Sequence, residues 1–135
     1  MVKVNYVIIF NKSLDKVLMC RRRHNPYKGL NAFVGGKIKP GEDGFAAAYK
    51  ELEEETGISN IKLKHMMDFV YHINSVLVEI YIGKLNEDVE LVEEVNELYW
   101  SGLDNNFFDM NLYAGEGNIG HMLEYVKMVK DEIFN

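Results

Sequence analysis

Glu51, Glu54 and Glu55 are the side chains in this sequence whose type and spacing point most directly to shared chemistry. They lie in GGKIKPGEDGFAAAYKELEEETGI, Gly35 to Ile58, where a glycine pair and a Pro40-Gly41 turn lead into a run of helical period. At about 100° per residue, Phe45, Ala48, Tyr49 and Leu52 share one flank of that helix. The three glutamates share a neighbouring flank, because positions i, i+3 and i+4 stack on a helix. Gly57 closes it. Like charges at these spacings repel by about 0.2–0.5 kcal/mol per pair, and a helix that needed only solubility would interleave lysines. A divalent cation removes the penalty: Mg²⁺ and similar hard ions take carboxylate and carbonyl oxygens and keep water or phosphate in their other positions. Gly35 and Gly36, without a Cβ, let backbone approach an ion or a phosphate closely. Taken alone, the triplet also reads as an acidic solvated helix.

Spacing over the whole stretch favours the cation. Gly36 is followed by five residues, Glu42, seven residues, and then Lys50-Glu51-Leu52-Glu53-Glu54-Glu55-Thr56-Gly57-Ile58. In this register the stretch resembles the Nudix box, G-x5-E-x7-R-E-U-x-E-E-x-G-U, with Leu52 and Ile58 at the bulky apolar positions U. Lys50 is the one departure, standing where the family has arginine. The resemblance to the Nudix hydrolase family implies an α+β fold, an α/β/α sandwich in which a mixed β-sheet is flanked by the box helix and a C-terminal helix. It also implies hydrolysis of a nucleoside diphosphate linked to another group, with Mg²⁺ or Mn²⁺ as cofactor. The metal ligands it implies are the Gly35 carbonyl, Glu51, Glu54, Glu55 and Glu94, with Glu97 as the alternative to Glu94. The base that takes a proton from the attacking water is Glu54 or Glu94. The family arginine orients a catalytic glutamate; Lys50 keeps the charge but loses the planar fork, so weaker activity is expected. Glu42 is expected to order the loop and to pair with a basic residue such as Lys50.

The remaining elements must bring substrate to that helix. Residues 4–10 and 16–22 read as a β-hairpin of β-branched and aromatic strands. Arg21, Arg22 and Arg23 end the second strand. Alternation sends Arg22 to the opposite face from its neighbours, and guanidinium forks match phosphate oxygens; Arg22 is the first candidate for a phosphate clamp and Arg23 the second. A Pro- and Gly-containing loop, residues 25–29, leads to an extended segment over 30–34. By the resemblance, Asn31 and Phe33 lie near the substrate base, although Phe33 suits the core equally. Gly36 and Lys37, at the opening of the box, join the substrate-binding candidates. Residues 61–71 and 75–85 read as two long strands turning at His72-Ile73-Asn74. His65, His72 and His121 have no partner at zinc-site spacing. Residues 86–94 form an acidic loop, and Glu94 precedes Trp100 by six residues, as in many Nudix sequences where tryptophan starts a strand. Trp100 itself reads as a core anchor. A final helix is expected over 119–133, with an apolar face of Met122, Tyr125, Val126 and Val129. Gly115 and Gly117 make the turn before it and Asn118 suits an N-cap. The resemblance to MutT-like members gives Glu116 and Asn118 a second role, reading the edge of the base.

Composition sets outer bounds. A chain of 135 residues that is 47% hydrophobic and 27% charged suits one domain, 1–135. A net charge of −6 argues against a nucleic-acid polymer or an anionic membrane as partner, though not against a nucleotide that arrives with bound metal. The single cysteine, Cys20, excludes an internal disulfide and fits a reducing compartment. The opening apolar run is too short for a signal segment or membrane span, so a cytoplasmic monomer or homodimer is expected. Chain length and the 116–118 segment favour a MutT-like nucleoside triphosphate pyrophosphohydrolase, with oxidised purine nucleotides as one such substrate. The alternatives are hydrolysis of ADP-ribose or a dinucleoside polyphosphate, and a Nudix-fold nucleotide-binding or regulatory domain without catalysis.

Overall fold

The computed structural model describes residues 1–134. In chain order its elements are β1 (Val2–Phe10), β2 (Lys16–Arg21), β3 (Asn31–Ala32), β4 (Val34–Ile38), α1 (Gly44–Thr56), β5 (Leu63–Tyr71), β6 (Val76–Lys84), β7 (Glu97–Gly102) and α2 (Asn118–Phe134). β1 is the hub of a mixed sheet. It runs parallel to β6 from Val2 opposite Val76 to Phe10 opposite Lys84. It runs antiparallel to β4, with Tyr6 opposite Gly35 and Asn5 opposite Gly36, and meets β2 at Phe10 opposite Val17. β7 and β3 extend the sheet from β2, and β5 from β6.

Side-chain alternation on these strands divides the core in two. Val7 and Ile9 of β1, Leu18 and Cys20 of β2, and Tyr81 of β6 pack on the face covered by Ala48 and Leu52 of α1. Ile8 and Phe10, Val17 and Met19, and Ile80 and Ile82 pack on the face covered by Ile119, Met122, Leu123 and Val126 of α2. Burial on both faces explains why residues 7–10 are continuously apolar. The result is the expected α/β/α sandwich. Phe45 and Tyr49 lie partly buried beside Ala48 and Leu52, as the helical period predicts. Asp43 caps α1 by accepting from Ala46 N at 3.1 Å. Gly57 ends it with φ 80°, a left-handed conformation that glycine adopts without a Cβ penalty.

Several boundaries differ from the sequence reading. β2 stops at Arg21, because Arg22 closes the following loop through hydrogen bonds to Gly29 and Leu30. The extended segment after that loop is two short strands on different partners, and Gly35 and Gly36 lie inside β4. Strand β5 starts at Leu63, whose N–H donates to the Tyr49 hydroxyl at 2.8 Å. Trp100 is inside β7, half-buried beside the α1-side core. On α2, Leu123 is buried while Tyr125 and Val129 are half-exposed, and non-helical dihedrals at Val129 mark a kink. Asn118 is the first helical residue and not an N-cap; its amide is drawn away to the Tyr71 hydroxyl. Among the described residues no helix is long and apolar enough to cross a membrane.

Candidate active site

The carboxylates of α1 face the glycine strand β4. Glu55 is only 7% exposed and accepts a hydrogen bond from Gly35 N at 3.0 Å. Burial, then the Glu51 charge, pushes its carboxyl up to about 7, against the pull of the Gly35 N–H and the Arg22 guanidinium. Glu51 lies against Gly36: a Cβ built there would come within 2.8 Å of the Glu51 carboxylate. Its carboxyl is also raised, by burial first and then by the Glu54 charge, while Lys50 draws it down. Glu54 points outward and lines an open depression with Lys50, Glu53, Gly57, Val92 and Glu94. That depression exists because Val92 N donates to Thr56 O at 2.9 Å, tying the acidic loop to the end of α1. Glu97 is elsewhere, in β7 opposite Arg21, and Glu93 accepts from Leu98 N.

A second region adjoins this one. A cleft of about 700 Å³ lies on the α2 side of the sheet, walled by aromatic rings that include Tyr6, Phe33 and Phe69. Arg22, Tyr27, Tyr71, Glu116 and Asn118 also line it. Arg22 is anchored by its Nε, which donates to Pro26 O at 2.7 Å. The charge of the same guanidinium draws the Glu55 carboxyl down. The Glu116 carboxylate accepts from the Tyr27 hydroxyl at 2.7 and 2.9 Å, and Asn118 donates to the Tyr71 hydroxyl. Two tyrosines thus hold the two side chains expected to read a base.

Other expected site residues lie differently. Phe33 lines the cleft yet is 2% exposed, so it serves as wall and core together. Arg23 turns from the cleft toward the β7 approach: its backbone N–H binds Asn96 and its guanidinium binds Val95 O. Asn31 is consumed by structure, donating to Leu112 O and accepting from Tyr99. Lys37 is an exposed residue of β4. The expected Glu42–Lys50 pair does not form. Glu42 accepts from Lys39 N at 3.0 Å to close its own turn, and among the described residues no carboxylate lies within ion-pair distance of Lys50.

The donor set suits a hard cation, since it consists of carboxylate oxygens, and the Glu51 and Glu55 carboxyls are raised first by burial and then by a neighbouring glutamate charge. The expected convergence of Glu51, Glu54, Glu55 and Glu94 is not formed. Among the described residues no three acidic, histidine or cysteine side chains make a closed cage. Consecutive positions on a helix diverge by about 100°, which sends Glu55 inward to Gly35 and leaves Glu54 at the open depression. An open row of this kind fits an ion that completes its shell with water and phosphate.

Sequence reasoning passed over Asn5, Tyr27 and Tyr71. Asn5 carried a legible signal, as a lone amide in the apolar run VNYVIIF on the same strand face as Val7 and Ile9. It is fully buried, and its Oδ1 accepts from Gly36 N at 3.2 Å. Tyr27 sits in a loop whose partner, Glu116, is 89 residues away, and no local pattern announces such a contact.

The chain is 41% identical over 44 residues to the ADP-ribose pyrophosphatase of Methanocaldococcus jannaschii, a match covering 33% of this chain and 26% of that protein. It is 40% identical over 57 residues to the RNA pyrophosphohydrolase of Pelagibacter ubique, covering 42% of this chain and 35% of that protein. The match thus spans only about a quarter to a third of these curated relatives. A MutT structure from work on Aliivibrio salmonicida and Vibrio cholerae superposes with a TM-score of 0.73 at 22% identity, over 94% of this chain and 98% of that one; at this identity the likeness concerns the fold. The model for the NUDIX domain matches residues 2–114, from the first strand to the edge of the Gly115–Gly117 turn before α2, and the chain therefore belongs to the Nudix family.

Proposed function

We propose that this chain is a metal-dependent pyrophosphohydrolase of a nucleoside diphosphate linked to another group, and within that class a MutT-like enzyme that cleaves a nucleoside triphosphate to a monophosphate and pyrophosphate. The observation that carries the reading is the junction at Arg22 of the α1 carboxylates with an aromatic cleft of about 700 Å³. Aromatic walls offer a base stacking area, and a guanidinium beside them suits the phosphates that follow. Glu51, Glu54 and Glu55, with the Gly35 carbonyl and Glu94, are the proposed ligands. Mg²⁺ or Mn²⁺, when bound there, neutralises the phosphate chain and lowers the pKa of an attacking water.

The chain's own residues do the rest. Arg22, held by Pro26, fixes a phosphate oxygen at the mouth of the cleft. Gly36 leaves room for the Glu51 carboxylate to lie flat against β4. Glu54 and Glu94 face the open depression, and one of these carboxylates takes the proton from water. Glu116 and Asn118, placed by their tyrosine partners, meet the base edge: the carboxylate accepts, and the amide both donates and accepts. ADP-ribose hydrolysis is the second reading, favoured by the local identity to the archaeal ADP-ribose pyrophosphatase.

The test is release of phosphate and pyrophosphate from a panel of normal and 8-oxo purine triphosphates, ADP-ribose and a dinucleoside polyphosphate, with Mg²⁺ or EDTA, beside Glu55→Gln. Metal-dependent pyrophosphate release from one triphosphate, lost in the variant, is expected. Turnover of ADP-ribose alone replaces the first reading with the second. Silence across the panel with nucleotide binding intact leaves a binding domain.

A further inference from the structure

Asn5 Nδ2 is, among the described residues, the buried side-chain polar atom left without a hydrogen-bond partner. Buried amides are nearly always satisfied, so an orphan donor next to a reaction site calls for a use. We propose that Asn5 is a positioning residue of this site, its side-chain amide donating to the Glu51 carboxylate once a divalent cation is bound. The inference rests on the reading of the α1 carboxylates as cation ligands.

Asn5 shares its strand face with Val7 and Ile9, so it points to the α1 side of the sheet. Its Oδ1 is already committed to Gly36 N, and that bond fixes which end of the amide remains free. Gly36 is also the residue against which the Glu51 carboxylate lies, 2.8–3.1 Å from the position a Cβ would take. Asn5 and Glu51 therefore meet at one glycine, on the α1 side of the sheet. The carboxylate of the strand neighbour on the other side, Glu79, is turned toward Gly44 and the Tyr81 hydroxyl. A carboxylate that ligates a cation is held in its charged state, in which it accepts hydrogen bonds most strongly. The free N–H then clamps one carboxylate oxygen and leaves the other for the ion, as partners behind metal ligands commonly do. A glutamate on a helix thereby acquires a fixed rotamer from a strand 46 positions earlier.

The experiment uses nucleotide-free, full-length protein. The side-chain NH₂ resonances of Asn5 are assigned in ¹⁵N-labelled wild type and followed during MgCl₂ titration. They are expected to shift saturably, with one proton moving downfield. In parallel, calorimetry of Mn²⁺ binding to Asn5→Leu is expected to show affinity about tenfold weaker than wild type, while the melting temperature in EDTA changes little, because loss of the unpaired Nδ2 donor offsets loss of the acceptor for Gly36 N–H. An Asn5 signal indifferent to Mg²⁺ overturns the proposal and assigns the amide to a buried water. So does a well-folded Asn5→Leu that binds Mn²⁺ like wild type. If Asn5→Leu does not fold, the wild-type titration decides alone. An enzyme silent on every nucleotide whose Asn5 signal still shifts with Mg²⁺ refutes the proposed activity and leaves this inference standing.

Discussion

Two adjacent glycines of β4 separate function from folding. At Gly36, an alanine Cβ would lie 2.8 Å from the Cδ and Oε2 atoms of Glu51. Ordinary contact begins near 3.4 Å, so the overlap is about 0.6 Å. The offending atoms are the far end of a flexible side chain, which swings aside at a rotamer cost of about 0.5–1.5 kcal/mol. At Gly35 the same Cβ would lie 2.0 Å from the Asn5 carbonyl oxygen and 2.9 Å from the Tyr6 Cα, both backbone atoms of the central strand. Nothing there can rotate away. β4 must part from β1, at a cost of about 3 kcal/mol or more. Gly36→Ala is therefore expected to fold with a melting temperature lower by only a few degrees. Moving a reacting carboxylate by about 1 Å costs on the order of 10² in rate, so kcat should fall about a hundredfold. Gly35→Ala is expected to melt far lower or to be recovered unfolded. Thermal melts and metal-dependent turnover on the best substrate of the panel measure both. A Gly36→Ala enzyme with wild-type kcat would show that Glu51 does not act from its position against β4. Equal destabilisation by the two alanines would refute the assignment of the close contacts to backbone in one case and side chain in the other.

Three further outcomes are expected. Burial raises the Glu55 carboxyl to about 7, so between about pH 4.3, where the unfolded chain ionises, and pH 7 the folded state binds the extra proton and loses stability as pH rises. In EDTA, Glu55→Gln keeps an acceptor for Gly35 N–H and should flatten that slope, giving a higher urea midpoint than wild type at pH 8; parallel pH profiles would contradict it. Lys50→Arg restores a fork beside Glu51 and Glu54 and should raise kcat by about three- to tenfold; unchanged activity and Mn²⁺ affinity would remove the orienting role from this position. Tyr27→Phe frees Glu116 from its hydroxyl clasp and should raise KM by about fivefold with kcat nearly constant, since the cleft wall loses one hydrogen bond to a charged group; an unchanged KM would detach the clasp from substrate binding.

The sequence carried the parts of this molecule that depend on short-range periodicity. A helical period put Ala48 and Leu52 on one flank of α1 and the glutamates on another, and a strand period put Val7 and Ile9 apart from Ile8 and Phe10. Both patterns survive in the structure because residue spacing decides which side chains share a face of a helix or strand. Strand alternation does not place Arg22, which lies past the end of β2 and is held by loop bonds to Pro26, Gly29 and Leu30. What escaped depends on contacts between distant segments. Arg23 and Asn31 have the right chemistry for a substrate, yet Val95, Asn96, Leu112 and Tyr99 claim them from 68 to 81 residues away. Tyr27, read only as part of a loop, becomes the partner of Glu116 once the turn before α2 folds over the sheet. Asn5 lies between these cases: its burial followed from its strand position, but its relation to Glu51 exists only because β4 places Gly36 between them. The box therefore announces α1 and its glutamates, while the shape of the cleft and the surroundings of Glu51 come from residues outside it. Substrate choice in this fold is for that reason a question for β1, the 22–30 loop and the 115–118 turn, and variants there should change which nucleotide is cleaved while variants on α1 change whether any is.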